Sequence, residues 1–218
     1  MYKYILFDLD GTLTDPGMGI TNSVMYALAA YGIKVGDRSE LYPFIGPPLD
    51  ESFIKYFGFK KEDCPALIAK FREYFHDRGL FENEVYAGVP EMLGKLRDAG
   101  YVLVLATSKP QIFAEQILVH FGLREFFTFV AGATFDESRV RKADVIAYAL
   151  GELGIRDVSS CLMIGDREHD LLGAAAHGMD AAGVLYGYGS RAELESANPI
   201  FIAASPSELA DLIENVGK

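Results

Sequence analysis

The sequence predicts an α/β protein: a doubly wound parallel sheet with a small helical domain inserted after its first strand. Three observations predict it. Short apolar runs alternate with stretches whose apolar residues recur at helical spacing. Residues 16–82 show only helical patterns, far more chain than a direct strand-to-strand crossover needs. Acidic, hydroxyl and lysine residues gather just past the ends of the apolar runs, where open parallel sheets place their ligands.

The first run, Tyr4–Phe7, leads straight into Asp8-Leu9-Asp10-Gly11-Thr12. Within 16–82, Ile20, Val24 and Leu28 share one helical face, and Leu67, Phe71 and Phe75 another; shorter helices are expected at 39–44 and 49–57. Gly-Pro punctuation at 15–17 and 45–48 separates them. The remaining strands are expected at 101–106, 126–131, 161–164, 182–185 and 200–203. Helices at 111–121 and 142–153 lie between them. A last helix opens at Ser205-Pro206-Ser207-Glu208, with Ser as cap, Pro at the first helical position and Glu three residues after the cap. The domain expectation is therefore an α/β core of 1–15 and 83–218, with a helical insertion of 16–82.

Bulk properties narrow the function. The 218 residues are 50% hydrophobic and carry a net charge of −11. Such a charge opposes binding to nucleic acid or an anionic membrane, while a local site can still take a small anion. No secretory or membrane-spanning pattern is visible. Cys64 and Cys161 have no metal-ligand spacing and read as reduced thiols of a cytoplasmic protein.

The polar residues past the strand ends are Asp8 and Asp10, then Thr107-Ser108-Lys109-Pro110, then Lys142, then Gly165-Asp166-Arg167-Glu168-His169-Asp170. Several aspartates at one edge would repel one another, and some would stay protonated, unless a cation sat among them. Oxygen ligands without His or Cys suit Mg²⁺, which takes one or two carboxylates plus waters and a substrate phosphate. Lysine and hydroxyls suit the phosphate oxygens, and an aspartate can itself attack phosphorus.

The segments "FDLDGT", "LATSKP", Lys142 and "GDREHD" resemble, in order, the four motifs of the haloacid dehalogenase superfamily. The inserted helices are similar to its C1-type cap, and within the superfamily the chain looks closest to phosphoglycolate phosphatase-like members. The resemblance implies a phosphatase working through an aspartyl-phosphate. Asp8 would be the nucleophile and Asp10 the general acid and base. Mg²⁺ would be held by the Asp8 carboxylate, the Asp10 backbone carbonyl and Asp166, with Asp170 behind them orienting Lys142 or a water. Thr107, Ser108 and Lys142 would bind phosphate; Ser108 stands where the family often has Asn. The partner implied is a small phosphorylated metabolite, phosphoglycolate first and a nucleoside 5′-monophosphate next, acted on by a monomer or homodimer.

A metal-free dehalogenase lacks the second acid, so Asp10 speaks against that chemistry. A phosphosugar phosphatase or mutase keeps both aspartates and stays open at this level. The intact set of acids and lysine argues against a non-catalytic binding relative. His169 is expected at the surface, and Arg167 either at the entry to the site or in solvent. Lys142 could be a solvated helix residue beside Arg139 and Arg141. Asp10 could be a turn residue and Asp170 a helix cap. Residues 186–190, "YGYGS", read as an ordinary turn. In the insertion, Asn22, Arg38 and Arg78 are candidate substrate selectors.

Overall fold

The strand β1 (Tyr4–Phe7) is apolar along its length because it lies in mid-sheet, paired on both sides and covered on both faces. The computed structural model describes residues 1–136 and 138–216. They form two compact units, one of 1–14 with 85–218 and the other of 15–84; the sequence reading sets these crossings at 15/16 and 82/83. The chain passes between them through two short strands, β2 (Thr14–Asp15) and β3 (Glu84–Val85).

The smaller unit is helical. Its α1 (Gly17–Ala29) buries Ile20, Val24 and Leu28, and after a 3-10 turn over Arg38–Phe44 come α2 (Leu49–Phe57) and α3 (Cys64–Tyr74). Leu67, Phe71 and Phe75 face inward as their spacing requires. The Phe44 and Phe53 rings meet edge-on at 5.1 Å, a favoured aromatic geometry. Asn22 Nδ2 donates to Glu82 Oε2 at 2.7 Å, Arg38 donates to the Thr21 hydroxyl, and Arg78 lies over the Tyr74 ring. Each proposed selector thus has a partner inside this unit.

The larger unit continues with α4 (Val89–Asp98), β4 (Val102–Pro110), α5 (Gln111–His120), β5 (Phe129–Ala133), α6 (Lys142–Glu152), β6 (Cys161–Gly165), α7 (Glu168–Ala175), β7 (Asp180–Val184), α8 (Arg191–Ser196), β8 (Ile202–Ala203) and α9 (Pro206–Val216). Six strands form one parallel sheet in the order β5-β4-β1-β6-β7-β8, flanked by helices. This is the doubly wound α/β fold the alternation predicts. Cys64 and Cys161 are buried free thiols. Among the described residues no helix is long and apolar enough to cross a membrane.

Several boundaries and elements depart from the sequence reading, three of them in the chain from 89 to 133. Strand β4 runs on to Pro110, with a register shift between Ala106 and Pro110, so Thr107-Ser108-Lys109 occupy an irregular extended segment. Such irregularities re-aim side chains next to sites. Strand β5 starts at Phe129, because residues 124–126 make a 3-10 turn and the apolar Phe127 is buried outside the ladder. The helix α4, absent from the sequence reading, turns Met92, Leu93 and Leu96 into the core.

Leu6 sits in the cluster of buried side chains with Val104, Ile146, Cys161 and Met163. Truncating it leaves a cavity in mid-sheet. Leu6→Ala is expected to lower the unfolding free energy in urea by about 2–5 kcal/mol; a loss under about 1 kcal/mol would contradict this placement.

Candidate active site

The strand order reverses at β1: the chain builds β4 and β5 on one side, then crosses to β6, β7 and β8 on the other. Ligands of open α/β sheets bind beyond the carboxyl ends of strands at such a switch point. Asp8, the first residue past β1, extends the ladder, its N–H donating to the Ile164 carbonyl at 2.9 Å. The chain then turns sharply, with Gly11 N–H donating to Thr14 O and Leu13 N–H to Leu9 O, both at 2.8 Å. Gly11 has φ +83°, and a Cβ there would lie 2.2 Å from Asp166 Oδ2. Only glycine satisfies both demands.

Lys142 opens α6 and reaches to the tip of β1. Its Nζ lies 2.7 Å from Asp170 Oδ1, 2.8 Å from Asp8 Oδ1 and 2.9 Å from the Ala106 carbonyl. The contact with Asp8 is an ion pair, and Asp8 Oδ1 has no well-directed hydrogen bond among the described residues. A second lysine, Lys109 at the end of β4, holds Asp10, with Nζ 2.5 Å from Oδ2. Asp166 accepts from the Tyr188 N–H at 2.8 Å, and Asp170 accepts from the Arg167 N–H at 3.2 Å. Asp170 therefore does cap α7, as the third helical residue reaching back, while also binding Lys142.

The four aspartates and two lysines are all buried. Fully ionised, they leave two negative charges without a counterpart among themselves. Burial, together with the Asp170 and Asp8 charges, pushes the Asp166 carboxyl well above the usual carboxylate range. Burial pushes Asp170 up to about 6 even though Lys142 beside it pulls the other way. Asp10 is raised by burial against the pull of Lys109. Burial works against the Lys142 ammonium, but Asp170 and Asp8 outweigh it and raise its pKa.

Carboxylate oxygens of Asp8, Asp166 and Asp170 all lie within 4.8 Å of one another, a set that could hold a metal ion. The residues fit a hard divalent cation: oxygen donors only, and four buried carboxyls against two lysines. The Asp10 side chain lies outside that cluster, paired with Lys109. The structure thus brings Asp8, Asp10, Asp166, Asp170 and Lys142 to one sheet edge, with Thr107 buried and Ser108 half-buried at the neighbouring tip of β4.

Other side chains are accounted for elsewhere. Arg139 binds the Gly132 carbonyl and stacks on Tyr148, Arg141 is exposed ahead of α6, and His169 is exposed. Arg167 pairs with Glu193 at 2.7 Å rather than standing in solvent. Two contributors escaped the sequence reading. Lys109 was legible only as part of a hydroxyl-bearing strand end. Residues 186–190 pack against Asp166 instead of forming an ordinary turn.

Residues 5–184 match the family model described as haloacid dehalogenase-like hydrolase. The chain belongs to that family. It is 44% identical over 214 residues to a 5′-nucleotidase from Pseudomonas aeruginosa, covering 98% of this chain and 96% of the relative. A tyrosine-protein kinase, PtkA, from Mycobacterium tuberculosis is 38% identical, covering 99% of this chain and 72% of its own. Among solved structures, a "predicted phosphatase" from Clostridium acetobutylicum superposes with a TM-score of 0.95 at 45% identity, covering 99% of both chains. In keeping with this family and these relatives, the chain is a haloacid dehalogenase-type phosphatase, a phosphoric monoester hydrolase.

The Lys142 contacts carry a pH-dependent prediction. A carboxyl whose folded-state pKa is raised keeps a proton the unfolded chain has released, so its contribution to stability falls as pH rises from about 4 through the folded value. Removing the ammonium takes away the pull that lowers the Asp170 pKa, and so carries that loss to higher pH. Lys142→Met is expected to cost about 3–5 kcal/mol near neutrality and much less near pH 5, measured by urea unfolding. A cost independent of pH would contradict the pairing.

Proposed function

We propose that the protein is a Mg²⁺-dependent phosphomonoesterase that hydrolyses small phosphorylated metabolites through an aspartyl-phosphate on Asp8. The observation that carries this reading is the pairing pattern. Asp8 is paired with Lys142 at the switch point, while Asp10, two residues on, is held by a different lysine. Two neighbouring carboxylates with separate environments can take separate roles.

Asp8, Asp166 and the Asp10 backbone carbonyl would hold the ion, with Asp170 behind them. Bound there, Mg²⁺ would supply positive charge that balances the carboxylates and the phosphate oxygens. Lys142 stands beside the Asp8 carboxylate and offsets charge as a phosphoryl group approaches. Asp8 attacks phosphorus, and the leaving alcohol takes a proton from Asp10; a water then loses a proton to Asp10 and releases phosphate from Asp8. The Lys109 contact orients Asp10 Oδ2, and Oδ1, which has no hydrogen-bond partner among the described residues, is available for proton transfer. Thr107 and Ser108, on the irregular end of β4, offer hydroxyl and backbone N–H donors to phosphate oxygens.

Nucleoside 5′-monophosphates are the substrate class we favour. The relative called a 5′-nucleotidase matches nearly the whole chain at 44% identity, whereas neighbours titled phosphoglycolate phosphatases share 22–23% and support the fold alone. Purified protein with MgCl₂ is expected to release phosphate from a nucleoside 5′-monophosphate faster than from phosphoglycolate. Asp10→Asn is expected to lower kcat by about 10²–10⁴-fold, and Asp8→Asn to abolish turnover. Phosphate release unchanged in Asp8→Asn would refute the mechanism, and preference for phosphoglycolate would refute the substrate class.

Because ion binding displaces protons from the raised carboxyls, the rise in Tm produced by MgCl₂ is expected to grow between about pH 5 and about pH 7.5. A gain of the same size at both pH values would contradict binding at Asp166 and Asp170.

A further inference from the structure

Residues 186–190, Tyr-Gly-Tyr-Gly-Ser, follow β7 and touch the Asp166 turn at several points. The Tyr188 N–H donates to Asp166 Oδ2 at 2.8 Å, while Oδ1 receives a long 3.5 Å contact from the Thr12 hydroxyl. A Cβ at Gly187 would lie 2.2 Å from the Gly11 carbonyl oxygen and 2.6 Å from Asp166 Oδ2; one at Gly189 would lie 1.9 Å from the Asp166 carbonyl oxygen. The segment therefore wedges backbone against both the Gly11 turn and Asp166, at a distance no side chain allows. Ser190 then caps α8 by accepting from the Glu193 N–H, and the Glu193 carboxylate grips the far side of the same turn through Arg167 Nε at 2.7 Å and the Glu168 N–H at 3.1 Å. Tyr186 packs edge-on against Tyr86, and its buried hydroxyl has no hydrogen-bond partner among the described residues.

A buried hydroxyl without a partner is costly, and Mg²⁺ keeps several of its waters when bound by carboxylates. We propose that residues 186–190 are a clamp that positions Asp166 for the divalent ion. The Tyr188 N–H holds one carboxylate oxygen so that the other faces the ion, and the Tyr186 hydroxyl donates to water hydrating it. These are positioning roles, and they rest on the reading of the site as a Mg²⁺ site.

Outer partners of metal ligands typically change metal affinity by about 10–100-fold. The test is calorimetric titration of MgCl₂ into the full-length parent, Tyr186→Phe and Gly189→Ala, with thermal unfolding of each in EDTA. Tyr186→Phe is expected to weaken the Mg²⁺ Kd about tenfold while its metal-free Tm stays the same or rises, since the substitution removes a buried hydroxyl that has no hydrogen-bond partner among the described residues. A residue that served only to pack would not separate these two readouts. Gly189→Ala is expected to weaken Kd more, by displacing the loop from the Asp166 carbonyl; should it fail to fold, Tyr186→Phe decides alone. A parent that binds Mg²⁺ together with a Tyr186→Phe variant that binds it equally well would overturn the clamp and leave the phosphatase reading standing. A parent that binds no Mg²⁺ would overturn both.

Discussion

One ammonium group shared between two buried carboxylates is the interaction on which the site depends. Lys142 Nζ joins Asp8 past β1, Asp170 in α7 and the Ala106 carbonyl in β4, three separate parts of the chain. Buried charges persist only when paired. The pairing therefore requires α6 to start close to the tips of β1 and β4, and requires the turn after β6 to return to the same edge. The parallel order with β1 between β4 and β6 meets both requirements.

The constraint also separates the chemistry of neighbouring residues. Asp8 and Asp10 are two residues apart, yet the bend at Gly11 and the two lysines give them different partners. The acids exceed the lysines by two charges, and the Asp166 and Asp170 carboxyls are raised as a result of burial and mutual repulsion. A site of this kind can take added positive charge. A phosphate group brings further negative charge, so cation and substrate belong to one electrostatic balance.

Much of this was legible in the sequence, because the information is local. Asp8, Asp10, Asp166 and Asp170 sit within a few residues of apolar runs long enough to be strands, and Lys142 heads a helix with clean periodicity. The end of a parallel strand places its next residues at the site, so strand ends locate the acids without any knowledge of contacts. What escaped depends on single long-range contacts. Lys109 is separated from Asp10 by 99 residues, and nothing around it distinguishes a buried lysine from a solvated one. Residues 186–190 carry glycines as any turn does; only the approach to Asp166, some twenty residues earlier, shows why a side chain is excluded there. Strand ends were misjudged where apolar residues are buried outside the ladder, as at Phe127, or where a strand continues through polar residues, as at Thr107 to Lys109.

The central claim is that the Asp8 carboxylate, held by Lys142, accepts the phosphoryl group. The most direct measurement is chemical capture of that acyl phosphate: turnover of a nucleoside 5′-monophosphate stopped by rapid quenching, reduction with borohydride, and peptide mass spectrometry. The account predicts homoserine at position 8 and at no other aspartate, dependent on substrate. Capture at a different residue, or steady phosphate release with position 8 never modified, would contradict it.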